Sequence, residues 1–391
     1  MIKMKKVVIA LALMLCVPVS TNAEELSQFT AGKVQRAHNL QQDEKLNDAI
    51  ALLADLDPSR AYDKAFVKRM LGIFYWQKGN TDKAIDNLSY AVKSGLLNDE
   101  QAWVTQRMLA DILLSNQQFK AALPHYYALS KQIPESQKAD ELWLRIAQSH
   151  YQLEEWQQVL SALNRYKSYQ KKDETQPLTI RLGAQLQLKQ WKASISTLNC
   201  LIVLEPNKTV WWQQLAGIQL RIGRSSDALE TLALARHQGV TLSQQDLKTL
   251  AQLYAQAGIP ERAAILFDEL DASQHNPGLL SEQAMYWQMA KEWDKAISVW
   301  MLAAKLDSKH RWPLAQLLLQ EGHYHKALAE LDKVKRKDKK AVIELAKVRA
   351  YYKLEEFEKA IIHAKLANNI APSAASKSWI KYLEQVRHMQ K

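Results

Sequence analysis

The 391-residue sequence has little glycine, little proline and almost no cysteine. It contains 11 glycines and 10 prolines, each under 3% of the chain, whereas average usage is roughly 7% for glycine and 5% for proline. So few turn-forming residues argue against β-sandwiches, propellers and glycine-rich nucleotide-binding folds. Two cysteines, Cys16 and Cys200, exclude a disulfide scaffold and a cysteine-based zinc domain. Because 47% of the residues are hydrophobic, global disorder is also excluded, which leaves a long helical protein.

The N-terminus has the pattern of a secretory signal peptide. Three lysines at positions 3, 5 and 6 precede an apolar run at 7–19, and small residues lead up to Ala23. This order of basic, apolar and small residues predicts cleavage after Ala23 and export to the periplasm. No later stretch reaches the roughly 18 apolar residues of a membrane-spanning helix. The mature chain is therefore expected to have no transmembrane segment and a net charge of +11 − 3 = +8.

The rest of the chain repeats with a period close to 34 residues, which is the tetratricopeptide (TPR) period. The repeat is marked by one position, mostly alanine and usually followed by an aliphatic residue, which we call the anchor. The gaps between anchors run from 31 to 38 residues. The ten anchors are Ala49, Ala84, Ala122, Val159, Ser194, Ala228, Ala263, Ala296, Ala327 and Ala360.

Two further positions follow the same period. A small residue lies twelve residues before most anchors, as at Gly72 and Ala110, and an aromatic residue lies three before six of them. Small residues let two helices of a hairpin approach closely, and stacking of hairpins supplies the core. The sequence predicts an all-α α-solenoid of about ten TPR hairpins over residues 24–374, a lengthened turn and flexing point near 167–177, and a C-terminal capping helix over 375–391.

Motifs for catalysis are absent. The sequence has no GxSxG elbow, P-loop, GxGxxG or HExxH motif, and no set of histidine, cysteine and carboxylate residues completes a metal site. We therefore predict a protein that is not an enzyme and has no catalytic residues, cofactor or metal.

The concave face of a TPR array is lined by the first helix of each hairpin, and here those positions are mostly basic. The predicted partner-binding groove contains Arg69, Arg107, Arg145, Arg181, Arg221, Lys248, Trp76 and Trp312. A row of arginines fits an acidic or carboxylate-bearing segment of a protein partner. Alternatively, these arginines pair with Asp or Glu of adjacent repeats. A basic run at 333–340 favours anionic lipid headgroups as an alternative ligand. The predicted export argues against nucleic acid as a partner.

Four long strings resemble those of a known family of TPR proteins. They begin at Asp57 (DPSRAYDKAFVKRMLGIFYWQKG), Leu96 (LLNDEQAWVTQRMLADILL), Gln137 (QKADELWLRIAQSHYQLEEW) and Gly258 (GIPERAA). The family is that of periplasmic TPR proteins encoded beside TonB energy-transduction systems in gammaproteobacteria. The resemblance implies an accessory role with TonB, ExbB or ExbD, whose complex powers outer-membrane uptake of iron chelates. It implies no catalytic residue.

Two hypotheses therefore stand. In the first, the protein is a periplasmic scaffold that binds periplasmic segments of TonB-system components. In the second, it is a carrier or assembly factor for an extracellular polymer or an outer-membrane protein, and the same groove binds the substrate.

Overall fold

The computed structural model describes residues 25–169, 172–271 and 275–389. The predicted signal peptide lies outside these residues. The described part of the chain forms 21 α-helices and no β-strand. The first helices of the ten hairpins are α1 (Gln28–Gln42), α3 (Ala61–Gln77), α5 (Asp99–Ser115), α7 (Ala139–Gln152), α9 (Thr175–Gln187), α11 (Thr209–Arg221), α13 (Gln244–Gln256), α15 (Pro277–Met289), α17 (Arg311–Gln320) and α19 (Lys340–Lys353).

The second helices alternate with the first, and one further helix ends the chain. They are α2 (Leu46–Ala54), α4 (Thr81–Ser94), α6 (Phe119–Leu129), α8 (Trp156–Lys167), α10 (Trp191–Leu204), α12 (Ser225–His237), α14 (Pro260–Leu266), α16 (Trp293–Leu306), α18 (Tyr324–Leu331) and α20 (Phe357–Ile370), followed by α21 (Ala374–Met389). Short 3₁₀ turns occupy Phe267–Glu269, Ser308–His310 and Lys337–Lys339. The predicted fold class, an all-α array of TPR hairpins with a closing helix, is confirmed.

The chain divides into two compact units, Met1–Lys189 and Gln190–Lys391, here called the N-terminal and the C-terminal unit. Helices α1 to α9 belong to the first and α10 to α21 to the second. Within each unit, consecutive helices pack on each other, and in the C-terminal unit α21 packs on α20. The flexing point expected near 167–177 spans the end of α8, the connection and the start of α9, and it stays a prediction.

The anchor positions form the innermost layer of the hairpins. All ten anchors have a relative exposure of 0%, which agrees with a small residue at the point where helices touch. At Gly72, twelve residues before the anchor Ala84, there is also no room for a larger side chain, because a Cβ there would lie 2.5 Å from Leu88 Cγ. Gly183 is small for a different reason: a Cβ there would meet the Tyr151 hydroxyl of α7 at 2.6 Å. The repeat pattern therefore reports backbone proximity, both within hairpins and between them.

Every hairpin turns at a residue with left-handed backbone conformation, five positions before its anchor. In the α3–α4 turn, Gly79 has φ +82°, and the next N–H, that of Asn80, donates to the Tyr75 carbonyl at 2.9 Å. Glycine takes this conformation without steric cost, whereas other residues do not. The ten positions are Glu44, Gly79, Gln117, Glu154, Lys189, Gly223, Gly258, Lys291, Gly322 and Glu355. Six of the ten turns are therefore made without glycine, which explains how a glycine-poor chain forms so many of them.

The aromatic positions mark where second helices begin. All six predicted aromatics are the first residue of a second helix: Phe119, Trp156, Trp191, Trp293, Tyr324 and Phe357. Cys200, on the second helix α10, is partly buried.

None of the helices in the described ranges combines the length and the hydrophobicity needed to cross a bilayer.

Candidate functional site

The basic row predicted from the sequence begins on α3, α5 and α7 of the N-terminal unit. Arg69, on α3, is the most buried of its members, with a relative exposure of 8%. Its Nε donates to Thr105 Oγ1 on α5 at 3.0 Å, and the Thr105 hydroxyl in turn donates to the Gln101 carbonyl at 2.6 Å. The guanidinium lies over the Phe66 ring, 5.6 Å from its centroid. Arg69 therefore spans two successive first helices.

Arg69 has no carboxylate within ion-pair distance among the residues that the structure describes. Its Nε hydrogen bond goes to a neutral hydroxyl, and burial lowers the pKa of the guanidinium. An arginine remains protonated at neutral pH even so, so the chain holds a positive charge here that is largely removed from water. A desolvated charge without a counter-charge is costly, and an anionic ligand would offset that cost.

Arg107 and Arg145, on α5 and α7, have carboxylates beside them. Arg107 Nε donates to Asp111 Oδ2 at 3.0 Å, and its Nη2 lies 3.9 Å from Glu141 Oε2 on the next first helix. Arg145 Nε lies 3.9 Å from Asp111 Oδ1. The pairing of arginines with acids of adjacent repeats, the alternative left open by the sequence, therefore holds for these two residues.

A buried tyrosine fixes the carboxylate at the centre of this cluster. The Tyr126 hydroxyl, on α6, donates to Asp111 Oδ1 at 2.6 Å. Burial, together with the charge and the hydrogen-bond acceptance of Asp111, raises the pKa of Tyr126. The phenol therefore stays protonated and keeps donating. Because Asp111 accepts from both Tyr126 and Arg107, its carboxylate is oriented and offsets much of the local positive charge.

A cleft of about 510 Å³ lies beside this cluster, between the first helices α5, α7 and α9 and the start of α6. Its wall is mostly apolar by area, although four of its residues are polar: Leu114, Phe119, Gln148, Tyr151, Gln152, Gln176, Thr179 and Ile180 line it. Arg145 Nη1 lies 3.4 Å from Gln148 Oε1 at its edge. No motif in the sequence marks these glutamines, because only the stacking of α7 on α9 brings them to one place.

The remaining predicted residues are not part of this cluster. Arg181 Nη1 donates to Asn164 Oδ1 on the second helix α8 at 2.9 Å, and burial lowers the pKa of its guanidinium. Arg221 lies at the end of α11, with its guanidinium 5.2 Å from the Trp191 ring centroid. Lys248 Nζ pairs with Glu282 Oε2 on α15 at 3.1 Å. The latter two belong to the C-terminal unit, where each already has a partner.

The two predicted tryptophans are partly or largely buried. Trp312 has a relative exposure of 8%, equal to that of Arg69, and packs with Ala315, Leu331, Ile343 and Ala346. Lys339 Nζ lies 5.2 Å from its ring centroid, and its place in the partner-binding groove stays a prediction. Trp76 is half-buried against the core of the N-terminal unit.

In the described ranges, no group of three or more His, Cys, Asp and Glu side chains is arranged to hold a metal ion. Comparison with protein-family models and with curated proteins gives no match.

Several solved structures resemble the chain. A chain in the structure of Naa15/Naa10 bound to HypK-THB is 14% identical with a TM-score of 0.46, over 91% of this chain and 65% of that one. YrrB, a TPR protein with an unusual peptide-binding site, is 17% identical with a TM-score of 0.36, over 47% of this chain and 97% of that one. The C-terminal part of a TPR repeat-containing protein from Cytophaga hutchinsonii is 14% identical with a TM-score of 0.39, over 70% and 95%.

Proposed function

We propose that the protein is a non-enzymatic interaction scaffold whose N-terminal unit binds a carboxylate-bearing segment of a protein partner. The observation that carries the proposal is Arg69, a 92% buried arginine without a carboxylate partner among the described residues. A carboxylate on the ligand would complete the pairing with two parallel hydrogen bonds. The cleft beside Arg107 and Arg145 would take the neighbouring residues, its glutamines pairing with backbone groups and its apolar wall with side chains.

We further propose that this partner belongs to a TonB–ExbB–ExbD system and that the site of action is the periplasm. The support comes from the sequence: the signal-peptide pattern ending at Ala23, and the strings from Asp57, Leu96, Gln137 and Gly258 that resemble TonB-associated TPR proteins. Periplasmic segments of TonB, ExbB or ExbD are then the candidate ligands. The role would be accessory to energy transduction for outer-membrane uptake of iron chelates.

Binding assays with periplasmic segments of TonB, ExbB and ExbD test both parts. A charge-assisted hydrogen bond contributes about 1.5–3 kcal/mol, so Arg69→Gln should weaken binding by about 10- to 100-fold. Arg69→Lys keeps the charge but loses the planar fork and should recover only part of the affinity. Reversal of the cluster by Arg107→Glu with Arg145→Glu should abolish binding, because two more negative charges would join Asp111 and Glu141.

Arg221→Gln is the matched control, since this exposed arginine lies outside the cluster; it should bind as the wild type does. Binding should also weaken as salt rises, because exposed charges are screened over about 10 Å at 0.1 M. A folded Arg69→Gln protein with wild-type affinity for every captured segment would refute the groove proposal. Capture of none of the three components from a crosslinked periplasm would refute the TonB assignment alone.

The cleft supports one alternative, a carrier or assembly factor for an extracellular polymer or an outer-membrane protein. Amide and hydroxyl side chains beside Phe119 and Tyr151 suit an uncharged polar chain such as a polysaccharide. In that case Gln148→Leu with Gln176→Leu should abolish polymer binding while Arg69→Gln leaves it unchanged, the reverse of the order expected for a carboxylate-bearing segment.

A further inference from the structure

The outward-facing surface of the second helices differs between the two units. Positions six and ten residues after the anchor fall on one face of the longer second helices, because residues four apart are neighbours on an α-helix. In the C-terminal unit six of these positions, on α10, α12, α16 and α20, carry exposed aliphatic side chains. They are Leu204 on α10, Leu234 on α12, Leu302 and Leu306 on α16, and Leu366 and Ile370 on α20.

The same positions in the N-terminal unit carry no exposed side chain of leucine, isoleucine or valine. They hold Asp55, Tyr90, Ala128, Arg165 and Tyr169, together with serine and glutamine. The hairpins are otherwise built alike, so the fold does not require leucine at these sites. On α20 the apolar row is longer still, since Ile362 is exposed one turn before Leu366. These side chains therefore serve something other than the packing of the hairpins.

The hairpin of α18 carries basic residues where the neighbouring hairpins carry these aliphatic side chains. α18 ends at Leu331, and the position six residues after its anchor is Lys333, the first residue of the basic run 333–340. Lys333 pairs with Glu330 and Arg336 with Asp338. Lys335 and Lys340 are exposed, and neither forms an ion pair within the described ranges. Because equivalent positions of stacked repeats face the same way, this run lies between the apolar rows of α16 and α20.

Lysines also lie within the apolar rows themselves. Lys305 is exposed between Leu302 and Leu306, and Lys365 is exposed beside Leu366, where its Nζ pairs with Glu384 at 3.2 Å. Aliphatic and basic side chains thus alternate on the outer surface from α16 to α20. That combination is typical of protein surfaces that rest in the headgroup layer of an anionic bilayer.

We propose that this outer surface of α16, α18 and α20 binds peripherally to an anionic lipid bilayer. The leucines and isoleucines would enter the boundary between headgroups and acyl chains, while the lysines contact lipid phosphates. A bilayer suits this surface better than a protein partner does. The aliphatic side chains stand in short rows on separate helices, with lysines between the rows, whereas a protein partner needs a continuous complementary surface. The proposal does not depend on the groove of the N-terminal unit.

Co-sedimentation of the full mature chain with lipid vesicles tests this inference. Vesicles of phosphatidylglycerol and phosphatidylcholine should bind the protein, pure phosphatidylcholine should bind it at least tenfold more weakly, and rising salt should release it. Leu302→Ser with Leu366→Ser should weaken binding by about tenfold, because two apolar side chains no longer insert. Lys335→Gln with Lys340→Gln should weaken it to a similar degree.

The matched control is Tyr90→Ser with Tyr169→Ser, which changes the same register positions in the N-terminal unit and should bind vesicles like the wild type. Arg69→Gln should also leave vesicle binding unchanged, which separates this inference from the groove. Binding to neither kind of vesicle, or equal binding by the wild type and the Leu302/Leu366 variant, overturns the proposal. Loss of a crosslinked protein partner in that variant, without vesicle binding by the wild type, would also overturn it and assign the surface to a protein.

Discussion

The two units use the same hairpin but differ in what their surfaces carry. Arg69 and Lys248 occupy the same place in the repeat, fifteen residues before the anchor. Arg69 is buried against the neutral Thr105, whereas Lys248 is paired with Glu282. On the outer side, exposed leucines appear only in the C-terminal unit at the two register positions compared above. The N-terminal unit thus has an unmatched charge on its first helices, and the C-terminal unit has an apolar and basic surface on its second helices.

This comparison shows which positions of a repeat are free to change. The anchors are fully buried in both units, so substitution of an anchor alters the packing between helices. Positions fifteen before and six or ten after the anchor tolerate arginine, lysine, leucine, tyrosine or aspartate without change to the hairpin. Function in this protein is therefore expected at the variable positions, and the following experiments test how independent the two units are.

Overpacking an anchor should have the largest effect. Ala84→Trp in the N-terminal unit and Ala296→Trp in the C-terminal unit each force a large ring into a site with 0% exposure. We expect losses of about 3 kcal/mol, the upper part of the range for overpacked cores. Since repeats couple mainly to their neighbours, hydrogen exchange should quicken near the substitution and stay slow in distant hairpins. Uniform loss of amide protection along the chain would contradict a repeat array.

Substitution of Arg107 and of Arg69 should affect stability differently, because only Arg107 is paired with carboxylates. Arg107→Met removes the closest basic partner of Asp111, although Tyr126 and Arg145 stay beside that carboxylate, and should lower the free energy of unfolding by about 1–2 kcal/mol. Arg69→Met removes a desolvated charge that lacks a carboxylate and should be neutral or stabilising by about 1 kcal/mol. Urea denaturation curves give both values. Destabilisation by Arg69→Met as large as that by Arg107→Met would mean that Arg69 is already compensated.

Substitutions at the left-handed turn residues should have smaller effects. Introducing a glycine should stabilise the protein, and removing one should destabilise it. Lys291 has φ +62° and Gly258 has φ +79°, so both take a conformation that costs non-glycine residues roughly 1–2 kcal/mol. Lys291→Gly should therefore stabilise the C-terminal unit by about 1 kcal/mol, and Gly258→Ala should destabilise it by a similar amount. Glu154→Gly repeats the test in the N-terminal unit. Thermal unfolding midpoints that move in the same direction for both kinds of exchange would contradict this account.

Acid should loosen the first helix. Burial alone would raise the pKa of Asp63, but hydrogen bonds from Ser27 and Thr30 and the charge of Arg60 hold it below its usual value. The Ser27 hydroxyl, which caps α1, donates to Asp63 Oδ2 at 2.5 Å. A depressed folded-state pKa gives stability that is present above about pH 4 and is lost as the pH falls through the folded-state pKa.

Hydrogen exchange of α1 should therefore accelerate below pH 4 in the wild type. In Asp63→Asn it should be fast at every pH, and the C-terminal unit of this variant should behave as in the wild type. An α1 that keeps its protection at pH 3 would show that Asp63 does not hold it.

The sequence predicted the array well because its signals are local and repeated. Small anchors and aromatic helix starts recur ten and six times, so each copy supports the others. The site was less predictable. Arg69 and Arg107 occupy the same repeat position, yet the facing side chain is Thr105 in one case and Glu141 in the other, and only the packing of adjacent first helices decides which.

The left-handed turn five residues before every anchor has a consequence for how such a chain can evolve. Each period, counted from one such turn to the next, begins and ends with the same backbone geometry, so one period can be duplicated or lost without a new connection. A duplication would lengthen the row of first helices by one step and present one more set of variable side chains on both sides. The reach of this protein along a partner is then set by the number of its periods, a quantity that a single recombination event can change.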